Sequence, residues 1–117
     1  MSKLVDLLWE VRKEQEKYFK NYKQWAKKIK TICQKRLGDV RVLIFGSVLR
    51  KNEVPRDIDI LVVSPMVKHL SPQEKSKLKA EIFKEIGYFA PFEIHIVSDN
   101  DYQRWYKNFI KDESIPV

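Results

Sequence analysis

Two apolar runs joined by a short polar segment constrain most strongly what this chain can fold into. The first, over residues 40–45, is rich in β-branched residues and stops at Gly46 and Ser47, and the second, over residues 57–63, opens with alternating carboxylates. Apolar runs of this length with turn residues between them predict two buried β-strands of one sheet. The polar segment predicts a short helix over residues 48–52 directly after the glycine-serine turn.

Asp57 and Asp59 predict a divalent-metal site at the start of the second strand. Residues two apart on a strand face the same way, so the two carboxylates should lie side by side while Ile58 and Ile60 point into the core. Adjacent carboxylates repel each other and resist burial, and a bound cation relieves both costs. Mg²⁺ commonly takes one or two protein carboxylates and completes its shell with water and phosphate oxygens.

Gly46 and Ser47 predict an anion-binding turn opposite these carboxylates. Glycine lets the backbone approach a ligand closely, and a helix that starts there directs free N–H groups at an anion. A phosphate cradle beside metal ligands suggests a nucleoside triphosphate. Either motif alone is more often an ordinary turn or a solvated strand entrance, but their order and their apolar flanks favour a functional site.

The chain resembles the nucleotidyltransferase superfamily that includes DNA polymerase beta in Gly46, Ser47, Arg50 and the run over residues 57–62. It is most similar to the small stand-alone members, the minimal nucleotidyltransferases, over residues 40–97, which we take as the catalytic core. The resemblance implies an α+β fold, in which a small mixed β-sheet is packed with helices and is preceded here by a long N-terminal helix.

A third carboxylate, Glu93, is expected to complete the metal site. Alternation over residues 92–97 places Glu93 and His95 on one face of a strand and the apolar side chains on the other. The resemblance implies an acidic residue, usually aspartate, on a later strand, and Glu93 is the position that matches. The alternative for Glu93 is a glutamate that points to water. For His95, a surface or partly packed histidine is favoured over a ligand.

The resemblance implies nucleotidyl transfer, in which an acceptor hydroxyl attacks the α-phosphate of a nucleoside triphosphate and releases pyrophosphate. Two Mg²⁺ ions about 3.5–4 Å apart would stabilise the attacking and leaving oxygens. The resemblance assigns the catalytic and metal-binding roles to Asp57, Asp59 and Glu93. It also implies that Gly46 and Ser47 bind the β- and γ-phosphates and that Arg50 neutralises charge on the leaving group.

Minimal members of the family are often paired with a helical protein of the HEPN type, as antitoxin and toxin, and can modify that partner with AMP. The resemblance therefore implies ATP or another nucleoside triphosphate as donor and a protein or RNA hydroxyl as acceptor.

Two residues depart from the family pattern: Lys51 stands where a glycine is usual, and Arg56 stands where a small hydroxyl residue is usual. They leave open the alternative of a weakly active or inactive binding module that masks a helical partner. A third hypothesis is a basic nucleic-acid-binding protein, because a net charge of +7 attracts polyanions.

The N-terminal third predicts one long helix over residues 1–38, either continuous or broken near Lys20, because residues 2–37 contain no proline or glycine. Its apolar positions follow an alternating four-three spacing. Such a helix is longer than a small core can cover. We therefore expect its first turns to contact a helical partner or a second copy of the chain, chiefly through Leu4, Leu7, Leu8, Trp9 and Val11. The alternative is a helical hairpin that buries every apolar side chain internally.

The remaining segments complete one domain over residues 1–117. Ser71 and Glu74 form the pattern of a capping box at the start of a crossover helix. A last helix is expected over residues 99–112, with Trp105, Phe109 and Ile110 available for packing, and residues 114–117 are expected to be loose.

Composition excludes several classes of protein. No apolar run approaches the roughly 20 residues that cross a bilayer, and the N-terminal residues lack the features of a signal peptide, so we expect a cytoplasmic protein with no membrane partner. Cys33 is the only cysteine, which rules out an internal disulfide and a zinc site built from thiolates. We expect Cys33 to pack as a small apolar residue.

Overall fold

The computed structural model describes residues 2–110 and 113–117, and within this range it leaves out the side chain of Phe109. The expected packing of Phe109 and the end of the predicted helix over residues 99–112 therefore lie outside the described residues. No helix of the described residues is both long enough and apolar enough to cross a membrane.

The long N-terminal helix is divided in two. Helix α1 spans Lys3–Lys20 and α2 spans Tyr22–Leu37, and the break at Asn21 lies one residue after the predicted position. Asn21 leaves helical geometry at φ −121°, and its side-chain amide donates to the carbonyl of Lys17 at 3.3 Å. Asparagine competes in this way for backbone groups that a continuous helix would use.

Four strands of the described chain form a mixed sheet in the order β3-β2-β1-β4. The strands are β1 Arg41–Phe45, β2 Ile58–Val63, β3 Phe92–Val97 and β4 Ser114–Pro116. Strand β1 is antiparallel to both of its neighbours, whereas β2 and β3 are parallel and are joined through helix α3, Pro72–Ile86. A parallel pair needs such a crossover connection. The α+β class and the small mixed sheet are as predicted.

The C-terminal residues correct one expectation. Residues 114–117 are not loose: Ile115 pairs with Ile44 across the antiparallel β1–β4 ladder, and the Lys30 ammonium donates to the carbonyl of Val117 at 2.8 Å. The cause is a long-range pairing that local composition does not encode, because the free edge of β1 offers unpaired backbone groups.

One face of the sheet carries the main core. Helices α2 and α3 lie against it, and its strand residues alternate as predicted, with Ile58, Ile60 and Val62 fully buried. Cys33 of α2 is buried in the same core, and this burial raises the pKa of its thiol to about 12. The thiol therefore stays protonated and packs as an apolar group, in agreement with the expectation.

The opposite face is covered at one end only. The C-terminal helical segment consists of α4 Asp99–Asp101, a π-helical turn Tyr102–Tyr106 and α5 Lys107–Ile110. It buries Ile110 against a second apolar cluster that includes Leu43, Leu61 and Val97. Trp105 does not pack there and stays 69% exposed, although it lies on the same π-helical turn. The uncovered end of this face carries Asp59 and Glu93.

The first turns of α1 project from the rest of the molecule. Leu4, Leu7, Leu8 and Trp9 are each 58–66% exposed, whereas Tyr18 is buried and donates its hydroxyl to the carbonyl of Ile86 at 2.5 Å. The radius of gyration is 15.2 Å, compared with about 13 Å for a compact domain of this length. The hairpin that buries all apolar side chains is therefore not formed, and an apolar helix face remains exposed.

Candidate active site

The parallel register of β2 and β3 brings the predicted carboxylates together. Asp59 lies opposite Glu93 in the β2–β3 ladder and opposite Phe45 in the β1–β2 ladder. One ligand atom from each of Asp59, Glu93 and His95 lies within 4.8 Å of the other two. The His95 Nε2 atom is 3.6 Å from the nearer oxygen of Glu93. Two neighbouring strands thus present a cluster of two carboxylates and one imidazole on a single face.

The surroundings of Asp59 disfavour a second negative charge in the cluster. The pKa of Asp59 is raised from its ordinary 3.8 to about 6, first by burial and then by the negative charge of Glu93. A hydrogen bond to Glu93 and the charge of Asp57 raise it further. All of these contributions oppose a second negative charge in the cluster, so a bound cation would relieve them.

The donor set fits a divalent cation. Carboxylate oxygens are the protein ligands that Mg²⁺ and Mn²⁺ prefer, and the His95 imidazole adds a donor that suits transition metals. Burial lowers the pKa of His95, against the opposing effect of Glu93, so the neutral, ligating form is favoured. The sequence alone favours a surface or partly packed histidine over a ligand at this position, whereas the structure brings His95 into the cluster. The signal for the cluster was present in the alternation that places His95 beside Glu93.

Asp57 lies at the margin of this cluster. It directly precedes β2, its side chain is exposed, and it is not one of the three residues whose ligand atoms meet. Its charge nevertheless contributes to the raised pKa of Asp59. Asp57 is therefore close enough to act on Asp59 electrostatically, from the solvent side of the site.

Gly46 is required by the position of Asp59. The glycine adopts φ +85°, and a Cβ atom placed on it would collide with Oδ2 of the Asp59 carboxylate. The helix predicted over residues 48–52 is a single 3₁₀ turn, Ser47–Leu49, in which the Leu49 amide donates to the carbonyl of Gly46 at 3.1 Å. The backbone of Gly46 thus lies directly against the carboxylate of Asp59.

Arg50 is held by two carboxylates in this structure. Its guanidinium lies 2.6 Å from Glu113 and 3.2 Å from Glu53, and hydrogen bonds to these residues raise its already high pKa. The side chain is 45% exposed, so water and salt compete with these ion pairs. A phosphate that binds Arg50 would compete with Glu113 next to β4.

The two departures from the family pattern lie on the same loop. Lys51 and Arg56 are both exposed. Arg56 lines a groove of about 830 Å³ between α1 and the segment that leads into Asp57, together with Arg12 and Lys20. The extra positive charge of Arg56 therefore lies in this groove and directly before Asp57 in the chain.

Comparisons with known proteins agree with this geometry. A family model described as a nucleotidyltransferase domain matches residues 26–116. The fold is similar to a crystal structure of a candidate nucleotidyltransferase, with a TM-score of 0.62 and 27% identity, covering 78% of this chain and 95% of the other. It is also similar to a candidate nucleotidyltransferase from Sulfolobus solfataricus, with a TM-score of 0.57 and 18% identity, covering 91% of this chain and 84% of the other. No curated protein matches the chain.

Proposed function

Because this chain belongs to the nucleotidyltransferase domain family, we propose that it is a Mg²⁺-dependent enzyme that transfers a nucleotide to a protein or RNA hydroxyl. The first candidate for the transferred nucleotide is AMP, with ATP as its donor. The observation that carries the proposal is the cluster of Asp59, Glu93 and His95 against the Gly46 turn. Burial and the neighbouring carboxylates Glu93 and Asp57 raise the pKa of Asp59 to about 6. Perturbed carboxylates of this kind are concentrated at functional sites.

Each proposed role follows from the position of the residue. Asp59 and Glu93 would hold the metal ions with Asp57 joining them from the solvent side, and bound Mg²⁺ would supply charge neutralisation at the attacking and leaving oxygens. Glu93 would accept the proton of the acceptor hydroxyl, because it is the more exposed of the two clustered carboxylates. Transfer of this kind depends mainly on positioning and electrostatic stabilisation.

The phosphate-binding roles are proposed for the loop between β1 and β2. Gly46 and Ser47 would cradle the β- and γ-phosphates, since a glycine backbone at this point lets phosphate oxygens approach the cluster. Arg50 would exchange the Glu113 carboxylate for the leaving pyrophosphate. Both groups are anions of similar hydrogen-bonding geometry, so the exchange needs no new kind of contact.

We also propose that the chain acts with a helical protein of the HEPN type, as antitoxin to its toxin. The exposed apolar face of α1, formed by Leu4, Leu7, Leu8 and Trp9, supports a helical partner, since helices commonly dock through such faces. The alternative is a binding module that masks the partner without efficient catalysis. The positive charges of Lys51 and Arg56, which depart from the family pattern, favour that alternative.

A transfer assay tests the enzyme proposal directly. The protein is incubated with ATP labelled at the α-phosphate, Mg²⁺ and either a HEPN-type protein or RNA, and the label on each acceptor is counted. We expect transfer by the wild type and a loss of at least about 100-fold in Asp59→Asn, because metal-borne charge stabilisation contributes several kcal/mol. Asp39→Asn, an exposed carboxylate just before β1, is the matched control and should retain activity. A stable complex with no transfer would favour the binding module.

A further inference from the structure

A cleft of about 700 Å³ opens beside the carboxylate cluster, at the outer side of β3. Its walls come from the start of α3, from β3 and from the C-terminal helical segment. The lining residues are Lys75, His95, Ile96, Val97, Asp101, Trp105 and Tyr106. His95 belongs both to this cleft and to the carboxylate cluster, so a ligand in the cleft would lie next to the site proposed for nucleotidyl transfer.

Trp105 gives the cleft a flat apolar surface. Its indole is 69% exposed, although Tyr102 and Tyr106 of the same π-helical turn pack toward the sheet. Leaving such a large apolar surface in water is unfavourable, and π turns occur frequently at functional sites. Planar aromatic ligands stack on exposed indoles, and base–aromatic stacking is largely independent of base identity.

The floor of the cleft offers a backbone donor and a backbone acceptor. The carbonyls of Pro91 and Val97 accept from the amides of Ile58 and Ser64, at 2.7 and 3.1 Å, so these odd-numbered positions are turned toward β2. Because successive residues of a strand alternate, the N–H and C=O of Ile96 point to the opposite side. Strand β3 is the last strand on that side of the described sheet, so these groups lie on its open edge.

We propose that this cleft binds a nucleobase, stacked on Trp105 and hydrogen-bonded along its edge to the backbone of Ile96. Lys75 and Asp101 flank the cleft and add one charged donor and one charged acceptor for the exocyclic groups. The inference rests on the proposed function and extends it, because it assigns a position to the base of a ligand whose phosphates are proposed to lie at the Gly46 turn. The base belongs either to the nucleoside triphosphate or to the end of an RNA acceptor.

Calorimetric titrations in Mg²⁺ separate these sources. Three ligands are used: ATP, inorganic tripolyphosphate, which has no base, and a short single-stranded RNA. We expect Trp105→Ala to lower the affinity for the base-containing ligand that occupies the cleft by about tenfold. Trp105→Phe should restore most of this affinity. Tripolyphosphate affinity should be unchanged. If the affinity for ATP falls, the cleft binds the base of the donor. If only the affinity for RNA falls, the cleft binds a base of the acceptor.

The control variant is Tyr88→Ala, which removes another exposed aromatic ring, 75% accessible, from the loop after α3. It should bind all three ligands as the wild type does. A second readout is the amide resonance of Ile96, which should shift on addition of the base-containing ligand and stay in place with tripolyphosphate.

The proposal is overturned if Trp105→Ala binds ATP and RNA as tightly as the wild type. It is also overturned if the affinity of this variant for tripolyphosphate falls as much as its affinity for the base-containing ligand. Transfer activity distinguishes this failure from that of the proposed function. If Asp59-dependent label transfer persists while Trp105→Ala has no effect on binding, only the nucleobase cleft is wrong. If the wild type neither binds nor transfers a nucleotide, both proposals fall.

Discussion

At the scale of single residues, the contact between Gly46 and the Asp59 carboxylate leaves no room for a larger residue at position 46. Gly46 combines a positive φ with direct contact to the Asp59 carboxylate, whereas Gly38 has a similar φ of +73° and nothing within 4 Å of a Cβ atom. The two glycines therefore share the cost of a left-handed backbone and differ in the steric cost. They form a natural pair for measuring how closely the turn lies against the cluster.

Gly46→Ala should destabilise the fold by roughly 2–4 kcal/mol, compared with about 1 kcal/mol for Gly38→Ala, because only the former adds a collision to the backbone strain. Urea unfolding of the two variants measures the difference. The double variant Gly46→Ala/Asp59→Gly should recover the steric part. Equal losses in the two single variants would show that the turn does not press on Asp59.

The raised pKa of Asp59 predicts how metal-free stability depends on pH. The folded state holds the proton on Asp59 up to about pH 6, whereas an unfolded chain releases it near 3.8. This contribution to stability is therefore complete below about pH 4 and is lost as the pH rises through 6. At pH 7 without metal, Asp59→Asn should be more stable than the wild type by about 1 kcal/mol or less, once solvent screening is allowed for.

Thermal unfolding at pH 4 and pH 7, with and without Mg²⁺, checks this prediction. The difference in stability between the wild type and Asp59→Asn should be smaller at pH 4 than at pH 7, and Mg²⁺ should stabilise the wild type only. A variant that is less stable than the wild type at pH 7 without metal would show that Asp59 is not under electrostatic stress.

At the scale of secondary-structure elements, α1 is anchored by its C-terminal half. The buried Tyr18 hydroxyl donates to the carbonyl of Ile86, and its ring packs at a centroid distance of 4.8 Å from Trp25 and 6.0 Å from Phe92. This single residue therefore ties α1 to α2, to α3 and to the start of β3, next to the carboxylate cluster.

Tyr18→Phe should cost about 1–2 kcal/mol, because it leaves the buried Ile86 carbonyl without this donor while keeping the ring contacts. Tyr22→Phe on α2, where the ring is only partly buried, is the control and should have a smaller effect. Denaturant titration of both variants gives the comparison. No difference between them would indicate that water replaces the Tyr18 hydroxyl at no cost.

Much of the element pattern could be predicted because it depends on local spacing. Period-two alternation was enough to place Ile58 and Ile60 in the core, and Glu93 and His95 together on the opposite face. The β4 pairing could not be predicted in this way, because it depends on contacts between residues distant in sequence. For the same reason the spacing of Asp57 and Asp59 did not reveal that His95 joins the cluster.

At the scale of the whole molecule, the exposed face of α1 is the largest departure from a compact domain. Leu8 and Trp9 contribute apolar surface that the described chain leaves in contact with solvent. We assign this face to intermolecular contact and the carboxylate cluster to chemistry. The two properties should therefore be separable by mutation.

Leu8→Glu should leave the free energy of unfolding within about 0.5 kcal/mol of the wild type, since an exposed side chain makes few contacts to lose. It should abolish binding to a helical partner or to a second copy, which light scattering and calorimetry would detect. Glu14→Gln on the same helix is the control for altered charge. Unchanged association in Leu8→Glu would remove the proposed docking role from this face.

The central claim is that Asp59 and Glu93 share a divalent cation. Mn²⁺ binding, followed by electron paramagnetic resonance of the free ion, tests it without requiring a substrate. We expect Asp59→Asn and Glu93→Gln each to weaken Mn²⁺ binding by at least about tenfold, while Asp39→Asn binds as the wild type does. If both variants hold Mn²⁺ as tightly as the wild type, the carboxylate cluster is not a metal site.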